Sequence, residues 1–147
     1  MSRLYLGDSQ GVKKPINFGK IVQIDNHGLS DIYSYSNISG ALNFDKLESI
    51  GYYGLFYGFL GSTGITSISF PKLTTIGSKG LWNCFYDCTG LTGRVDFPSL
   101  TSVTGDCLYN CFYNTGVTEV HFKSSLSGNS ECTASQLGIT GKVYFDL

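Results

Sequence analysis

The amino-acid sequence predicts a β-rich solenoid of about five coils, each 23–27 residues long. A short motif, in which Phe ends an alternation of apolar and polar residues, recurs at an almost constant interval. Apolar residues follow the motif at fixed offsets, so stacked copies would form continuous columns. Gly (19 residues) and aromatic residues (14%) are abundant, which favours strands and turns over long helices. The motif ends at Phe18, Phe44, Phe70, Phe97, Phe122 and Phe145.

Each coil is predicted to begin with a parallel strand that ends at the repeated Phe, as in "SISF" and "RVDF". Successive side chains of a strand point to opposite faces, so one face is buried and the other meets solvent. A second short element follows in "KLTTI" and "SLTSV", and its two apolar positions are predicted to face the core. These pairs are Ile21/Ile24, Leu47/Ile50, Leu73/Ile76 and Leu100/Val103.

The third element of each coil places Leu and Phe four residues apart. This spacing predicts a short helical turn with both side chains on its inward face. Glycine then introduces the next strand, at Gly64, Gly90, Gly116 and Gly138. The pairs are Leu55/Phe59, Leu81/Phe85 and Leu108/Phe112, with Leu29/Tyr33 as a weaker first copy.

The repeat spans almost the whole chain, so we expect one domain over residues 1–147. Residues 1–25 are predicted to form the N-terminal cap and first coil, and residues 123–147 the C-terminal cap, because terminal coils are exposed and atypical. A net charge of −1 argues against nucleic acid as a partner. The sequence contains no apolar run of about 18 residues, so we expect no membrane insertion. Its start has no apolar signal segment, so we expect a chain that is made in, and at first stays in, the cytoplasm.

Five cysteines, an odd number, exclude a complete disulfide framework. Cys84/Cys88 and Cys107/Cys111 have a spacing that permits zinc binding. However, Cys84 and Cys111 share one repeat position, where Cys packs as a small apolar side chain. We therefore predict packing positions and no metal site. A Cys84–Cys111 disulfide is sterically conceivable, whereas cytoplasmic synthesis favours free thiols, so their oxidation state is left open.

No catalytic constellation stands out among the residues. His27 and His121 are the two histidines, and neither lies in a motif with a nucleophilic Ser or Cys. His121 is predicted to point to solvent from its strand. We therefore expect a protein that is not an enzyme and that needs no cofactor.

Large side chains directly follow the turn Leu and the turn Phe in three consecutive coils. At these positions they would rotate away from the core and form two rows on one side of the solenoid, here called the aromatic ladder. The rows either cover the edge of the core and stack on each other, or provide a surface for binding or oligomerisation. Flat aromatic rows also suit sugar rings. The ladder consists of Phe56, Leu60, Trp82, Tyr86, Tyr109 and Tyr113.

The outer face of the long strands, here called the strand face, is the alternative binding surface. Its side chains are small, polar and mixed in sign, and the sequence does not decide between the two surfaces. Its columns begin with Pro15, Ala41 and Ser67, and with Asn17, Asn43 and Ser69. The candidate binding residues on it are Arg94, Asp96, Glu119, His121, Lys142 and Tyr144.

The run "NCFYDCTGLTGRVDFPSLTSV" resembles the BspA-like leucine-rich repeats, in which an aromatic–Cys turn precedes an "LTSI"-type element. The resemblance covers residues 40–122 well and the ends less well. It implies a right-handed leucine-rich-repeat coil that binds through its strand face. The chain departs from the pattern at Gly58, which precedes Cys84 by one coil, and "FP" occurs only at Pro71 and Pro98. The opening "SRLYLGDSQGVKKPI" resembles the start of small phage and prophage tail-associated proteins.

These observations predict a non-enzymatic binding or adhesion module. The preferred setting is a phage or prophage structural protein, such as a tail-fibre or receptor-binding component, located in the virion after assembly in the host cytoplasm. The alternative is a bacterial cell-surface leucine-rich-repeat adhesin that binds a host protein or glycan. Expected partners are thus a protein or a cell-surface glycan. A homo-oligomer such as a trimer, or other virion proteins, are the expected assembly partners.

Overall fold

The computed structural model describes residues 18–147 of the chain. These residues form a solenoid of about five turns built on parallel strands, as the repeat predicts. Part of the predicted N-terminal cap, with Pro15, Asn17 and the phage-like opening, lies outside the described residues. In chain order the strands are β1 (Gln23–Ile24), β2 (Ser39–Asn43), β3 (Ser49–Ile50), β4 (Gly64–Ser69), β5 (Thr75–Ile76), β6 (Thr92–Phe97), β7 (Ser102–Val103), β8 (Gly116–Phe122) and β9 (Lys142–Tyr144).

The long strands β2, β4, β6, β8 and β9 form one side of the solenoid. β2 pairs with β4, β6 pairs with β8, and β8 pairs with β9, all in parallel. β4 also packs beside β6, which links the two groups of paired strands. The Phe predicted to end each strand lies at or just after its last residue, and Phe44, Phe70, Phe97 and Phe122 are buried. The predicted parallel strands are therefore confirmed.

A β-bulge interrupts the pairing of β2 with β4 and of β6 with β8, each time beside a glycine. Gly40 and Gly93 have φ angles of 87° and 81°, a conformation that glycine adopts without steric cost. Beyond the bulge the partner residue is one position further along, so Ala41 pairs with Ser67. The bulge thereby brings the last residues of adjacent strands, and the Phe that follows, into register.

The short strands β1, β3, β5 and β7 form a second parallel sheet, in that order. Ile24, Ile50, Ile76 and Val103 lie at the same position in successive strands and are buried. The residue before each of them points outward. Both apolar columns of the predicted second element lie in the core, and Ile21 at the first coil is half-buried.

The predicted helical turns are not confirmed. The segments after the short strands, here called the turn arms (residues 26–35, 52–61, 78–87 and 105–114), are continuous series of turns. The N–H of Cys84 donates to the carbonyl of Leu81 at 3.1 Å, which closes a turn within the coil. The next N–H, of Phe85, instead donates to the carbonyl of Cys111 in the next coil at 3.0 Å. Turn bonds and bonds between coils alternate in this way along the arm, and this pattern is incompatible with an α-helix.

The backbone of the turn arms returns to a left-handed conformation at every fourth residue. In one arm Lys79, Asn83 and Asp87 have φ angles of 55°, 51° and 60°. Asn and Asp tolerate this region better than most residues, although Lys does not share that preference. Because the conformation repeats every four residues, side chains four apart point the same way. Leu81 and Phe85 are therefore both buried, as predicted, without a helix.

Two columns of stacked rings fill the core. The strand-end column contains the repeated Phe residues, whose ring centroids lie 4.9–6.0 Å from one coil to the next. The turn-arm column, from Tyr33 to Phe112, has spacings of 5.2–5.9 Å. The two columns meet edge to face, as between Phe44 and Phe59 at 6.4 Å and 71°. Offset-stacked and edge-to-face contacts are the favourable arrangements of aromatic pairs.

The last coil contains the helices of the described residues. A 3-10 helix spans Ser124–Leu126 and an α-helix, α1, spans Ala134–Leu137. The Thr133 hydroxyl accepts a hydrogen bond from the N–H of Gln136 and so caps α1. Leu126 and Leu137 are buried and cover the C-terminal end of the core. No helix in residues 18–147 is long and apolar enough to cross a membrane.

Replacing Phe97 with alanine is expected to lower the free energy of unfolding by about 3–5 kcal/mol. Its ring is fully buried and stacks on Phe70 at 5.7 Å and on Phe122 at 5.3 Å. Urea denaturation measures the loss. Phe145→Ala, at the half-buried end of the same column, is the control and should cost less. A loss of less than about 1 kcal/mol for Phe97→Ala would contradict the stacked core.

Candidate functional site

The aromatic ladder lies on the outer side of the turn arms. Trp82 stands between Phe56 and Tyr109, with ring centroids 6.3 Å and 4.4 Å apart, respectively. In the second row Tyr86 stacks on Tyr113 at 4.7 Å and 23°. Tyr109 and Tyr113 are exposed, while the four earlier members are half-buried. The structure thus brings Phe56, Trp82 and Tyr109 together in one row and Tyr86 and Tyr113 in a second, while the half-buried Leu60 lies one coil before Tyr86.

The turn arms position the ladder through their hydrogen bonds between coils. The N–H of Asn83 donates to the carbonyl of Tyr109 at 2.9 Å, and the N–H of Asp87 to the carbonyl of Tyr113 at 3.0 Å. These bonds hold equivalent residues of neighbouring coils at the spacing of stacked rings. Trp82 consequently has a ring in each adjacent coil, and Tyr86 and Tyr113 each cover one face of the other.

A third row, which was not predicted from the sequence, lies beside the ladder and consists of His27, Tyr53 and Lys79. The ring of His27 stacks on Tyr53 at 5.1 Å, and Lys79 Nζ donates to the Tyr53 hydroxyl at 3.0 Å. Lys79 Nζ also lies 4.9 Å from the ring centroid of Trp82, a cation–π contact. The hydrogen bond lowers the pKa of Tyr53 and raises the pKa of Lys79. The constant interval of 26 residues between His27, Tyr53 and Lys79 could have revealed this row, but the three residue types differ.

A shallow groove of about 620 Å³ adjoins this third row and spans three coils. Gln23, Ser49 and Thr75 line it from equivalent positions of β1, β3 and β5. Tyr52 forms its border and packs against Tyr53 at 4.3 Å. The groove is therefore continuous with the aromatic side of the molecule.

The strand-face candidates lie in two rows across β6, β8 and β9. Arg94, Glu119 and Lys142 form one row, while Asp96, His121 and Tyr144 form the other. Arg94 Nε donates to Asp96 Oδ1 at 2.6 Å, and both side chains are partly exposed. Neighbouring groups of this face thus bind one another.

The prediction that His121 points to solvent is wrong: its exposed fraction is 4%. Tyr144 stacks on the imidazole at 4.5 Å and 13°. Asp146 Oδ1 lies 2.8 Å from Nδ1, and Glu119 Oε2 lies 3.2 Å from Nε2. The C-terminal residues reach the ring because the N–H of Leu147 donates to the carbonyl of Phe122, which folds the chain end against β8.

The surroundings of His121 favour its protonated form. Desolvation lowers the pKa of His121, but the hydrogen bonds to Asp146 and Glu119 outweigh it and raise the pKa above 6.5. The same contact lowers the pKa of Asp146 below 3.8. Because carboxylates occupy both ring nitrogens, His121 has no free nitrogen to act as a general base.

All five cysteines are buried free thiols. Desolvation raises the pKa of Cys84 and Cys111 well above the usual value, and raises the pKa of Cys88, Cys107 and Cys132 to about 12. Cys88 Sγ donates to the carbonyl of Phe59 at 3.0 Å. Within residues 18–147 no cluster of three or more His, Cys, Asp or Glu side chains is arranged to hold a metal ion.

The native thiols are expected to resist modification, because burial both blocks access and disfavours the reactive thiolate. At pH 8, Ellman's reagent should label all five cysteines in denaturant, yet label the native protein only as fast as it opens. Free cysteine in the same buffer provides the reference rate. Rapid labelling of any native thiol at that reference rate would contradict the buried arrangement.

The His121 cluster is expected to make stability depend on pH. A pKa raised in the folded state stabilises the protein below the unfolded value of 6.5, and this contribution is lost as the pH rises through the folded pKa. The lowered pKa of Asp146 means that its carboxylate stabilises the folded protein above pH 3.8. This contribution is lost as the pH falls through the folded pKa of Asp146. His121→Gln should therefore reduce the urea midpoint more at pH 5 than at pH 8. His27→Gln controls for the loss of an imidazole elsewhere. An equal reduction at both pH values would contradict the assignment.

No protein-family model matches the chain, and no match was found among curated proteins or solved structures.

Proposed function

We propose that this chain is a non-enzymatic binding module that engages its ligand through the aromatic ladder. The observation that carries the proposal is the distribution of exposed large apolar side chains. Five of the six in the described residues lie on the turn arms, and Val22 is the sixth. Two of the five, Tyr109 and Tyr113, are ladder residues, and clustered exposed aromatic groups are typical of interaction surfaces. The five are Ile32, Tyr35, Tyr52, Tyr109 and Tyr113.

The strand face supports this choice by contrast. Arg94 binds Asp96, and His121 is enclosed by Asp146 and Tyr144, so these groups stabilise the sheet and its C-terminal end. A ligand would have to compete with those bonds. Tyr109 and Tyr113, in contrast, are exposed and already held in place by their stacked neighbours. Such preorganised aromatic groups bind at low cost in conformational entropy.

The absence of enzymatic activity is part of the proposal. His121 has carboxylates on both ring nitrogens, and the exposed His27 stacks on Tyr53. Neither arrangement resembles a base that activates a nucleophile.

For the biological setting we favour a phage or prophage tail-fibre or receptor-binding component. The resemblance of the opening residues to tail-associated proteins supports this setting. A bacterial surface adhesin is the second candidate, and the resemblance of residues 40–122 to BspA-like leucine-rich repeats supports it. Both settings require a protein that recognises a surface partner, and the ladder serves either one.

Loss of the two exposed ladder tyrosines should abolish recognition of a cell surface. We expect fluorescently labelled Tyr109→Ser/Tyr113→Ser protein to bind at least about tenfold more weakly than wild type to the responsive strain in a panel of bacteria. Arg94→Ser/Lys142→Ser, on the strand face, is the matched control and should bind normally. Circular dichroism melts verify that both variants fold. Loss of binding in the strand-face variant alone would transfer the site to that face.

Light scattering after size exclusion separates ligand binding from self-assembly. A trimer that dissociates on Trp82→Ala would make the ladder an assembly surface of a virion component. A wild-type monomer would leave the ladder free for a surface ligand.

A further inference from the structure

We propose that the pocket beside Tyr113, where the aromatic ladder ends against Gly138, binds a single uncharged sugar ring. This inference rests on the proposed function of the ladder and identifies the class of ligand that it would recognise. It follows from the open face of Tyr113, the chemistry of the surrounding side chains and the size of the pocket.

Tyr113 is the last ring of its row. Tyr86 stacks against it at 4.7 Å from the preceding coil, and it is the one ring that the described residues place against Tyr113. In the following coil the neighbouring residue is Gly138, which has no side chain. Trp82, in the other row, has a ring in both adjacent coils. Tyr113 therefore keeps one ring face available for stacking.

Glycine is required at position 138 for two independent reasons. Its φ angle is 77°, as is common where a helix ends, and its N–H and that of Ile139 bond back to the last turn of α1. A Cβ there would also lie 2.9 Å from Tyr113 Cβ and 3.0 Å from Asn110 Oδ1. The end of α1 is thus built directly against the tyrosine, which gives the pocket a fixed wall.

The pocket beside Tyr113 has a volume of about 280 Å³. Small-molecule pockets usually measure roughly 300–1,000 Å³, so this one suits one ring rather than a length of polymer. Val117 and Ile139 provide apolar surface, and Asn114, Thr115 and Thr140 provide polar groups. A sugar ring presents the same combination, with C–H groups for the tyrosine face and hydroxyls for amide and hydroxyl partners.

The polar groups of the pocket are held in place. Asn114 Nδ2 donates to Asp87 Oδ1 at 2.8 Å, so the amide is fixed and we assign its Oδ1 as an acceptor for a sugar hydroxyl. Thr115 Oγ1 donates to the carbonyl of Phe112 and accepts from the N–H of Val117, and therefore acts as support. Thr140 provides the second hydroxyl contact. None of the lining residues carries a charge at neutral pH, so the pocket favours an uncharged sugar over an acidic or basic one.

Saturation-transfer NMR with a panel of monosaccharides tests the inference. The panel contains methyl glycosides of glucose, galactose, mannose and N-acetylglucosamine, with glucuronic acid and glucosamine as charged comparisons. We expect a signal from at least one uncharged sugar at millimolar concentration. Tyr113→Ala should weaken its binding about tenfold or more, whereas Tyr113→Phe should retain it because the ring face is unchanged.

Tyr52→Ala is the matched control, because Tyr52 is about as exposed as Tyr113 (47% and 45%) but borders the distant groove. It should leave sugar binding unchanged. Equal binding of the charged sugars, unchanged binding by Tyr113→Ala, or no signal from any uncharged sugar would overturn the inference. If no sugar binds but the Tyr109→Ser/Tyr113→Ser protein still loses cell binding, the sugar site is wrong and the ladder proposal stands. If a sugar binds at Tyr113 but the Tyr109→Ser/Tyr113→Ser protein still binds cells normally, the sugar site stands and the ladder proposal is wrong.

Discussion

The structure depends on the spacing of its parallel strands, because each residue in one coil packs against the equivalent residue of the next coil, about 4.8 Å away. Aromatic rings stack at a similar distance, so a Phe that recurs at the same position of every coil packs face to face with its own copy. The strand-end column from Phe18 to Phe145 shows this directly, with centroid distances of 4.9–6.0 Å. A coil cannot bury these rings alone, so the core exists only between coils.

The same spacing explains why the turn arms are not helical. An α-helix directs its N–H groups along its own axis, whereas these arms give every second N–H to the coil beside them, as Phe85 does to Cys111. Backbone groups at a coil boundary would otherwise lack partners. The left-handed residues at Lys79, Asn83 and Asp87 are the local cost of this pattern. Its consequence outside the core is the aromatic ladder, because side chains that leave the arm are held at stacking distance as well.

Features that follow from the repeat interval could be predicted from the sequence. Features that depend on the local backbone path or on contacts outside the repeat could not. Phe columns, buried Leu81 and Phe85, and the two ladder rows all follow from offsets, and each is present. A spacing of four residues, however, fits a helical turn and a repeated four-residue turn equally well. Tyr144 stacks on His121 because the two share a repeat position, but the burial of His121 also requires the chain end to fold back to Asp146, and no offset encodes that. The Tyr33 hydroxyl is buried with no hydrogen-bond partner among the described residues, so it places a polar atom in an otherwise apolar column.

A stacked structure has distinctive chemistry where its stacking ends. Within the ladder, Trp82 has a ring in each adjacent coil, so its faces are less available to a ligand than those of a terminal ring. At the last coil the repeat gives way to α1 and Gly138, and Tyr113 has a face that no other ring of residues 18–147 covers. The uncovered face of Tyr113 can therefore stack on a ligand, as inner rings stack on their neighbours. The C-terminal end of the ladder, rather than its middle, is therefore where this fold offers a specific site for a flat, amphipathic ring.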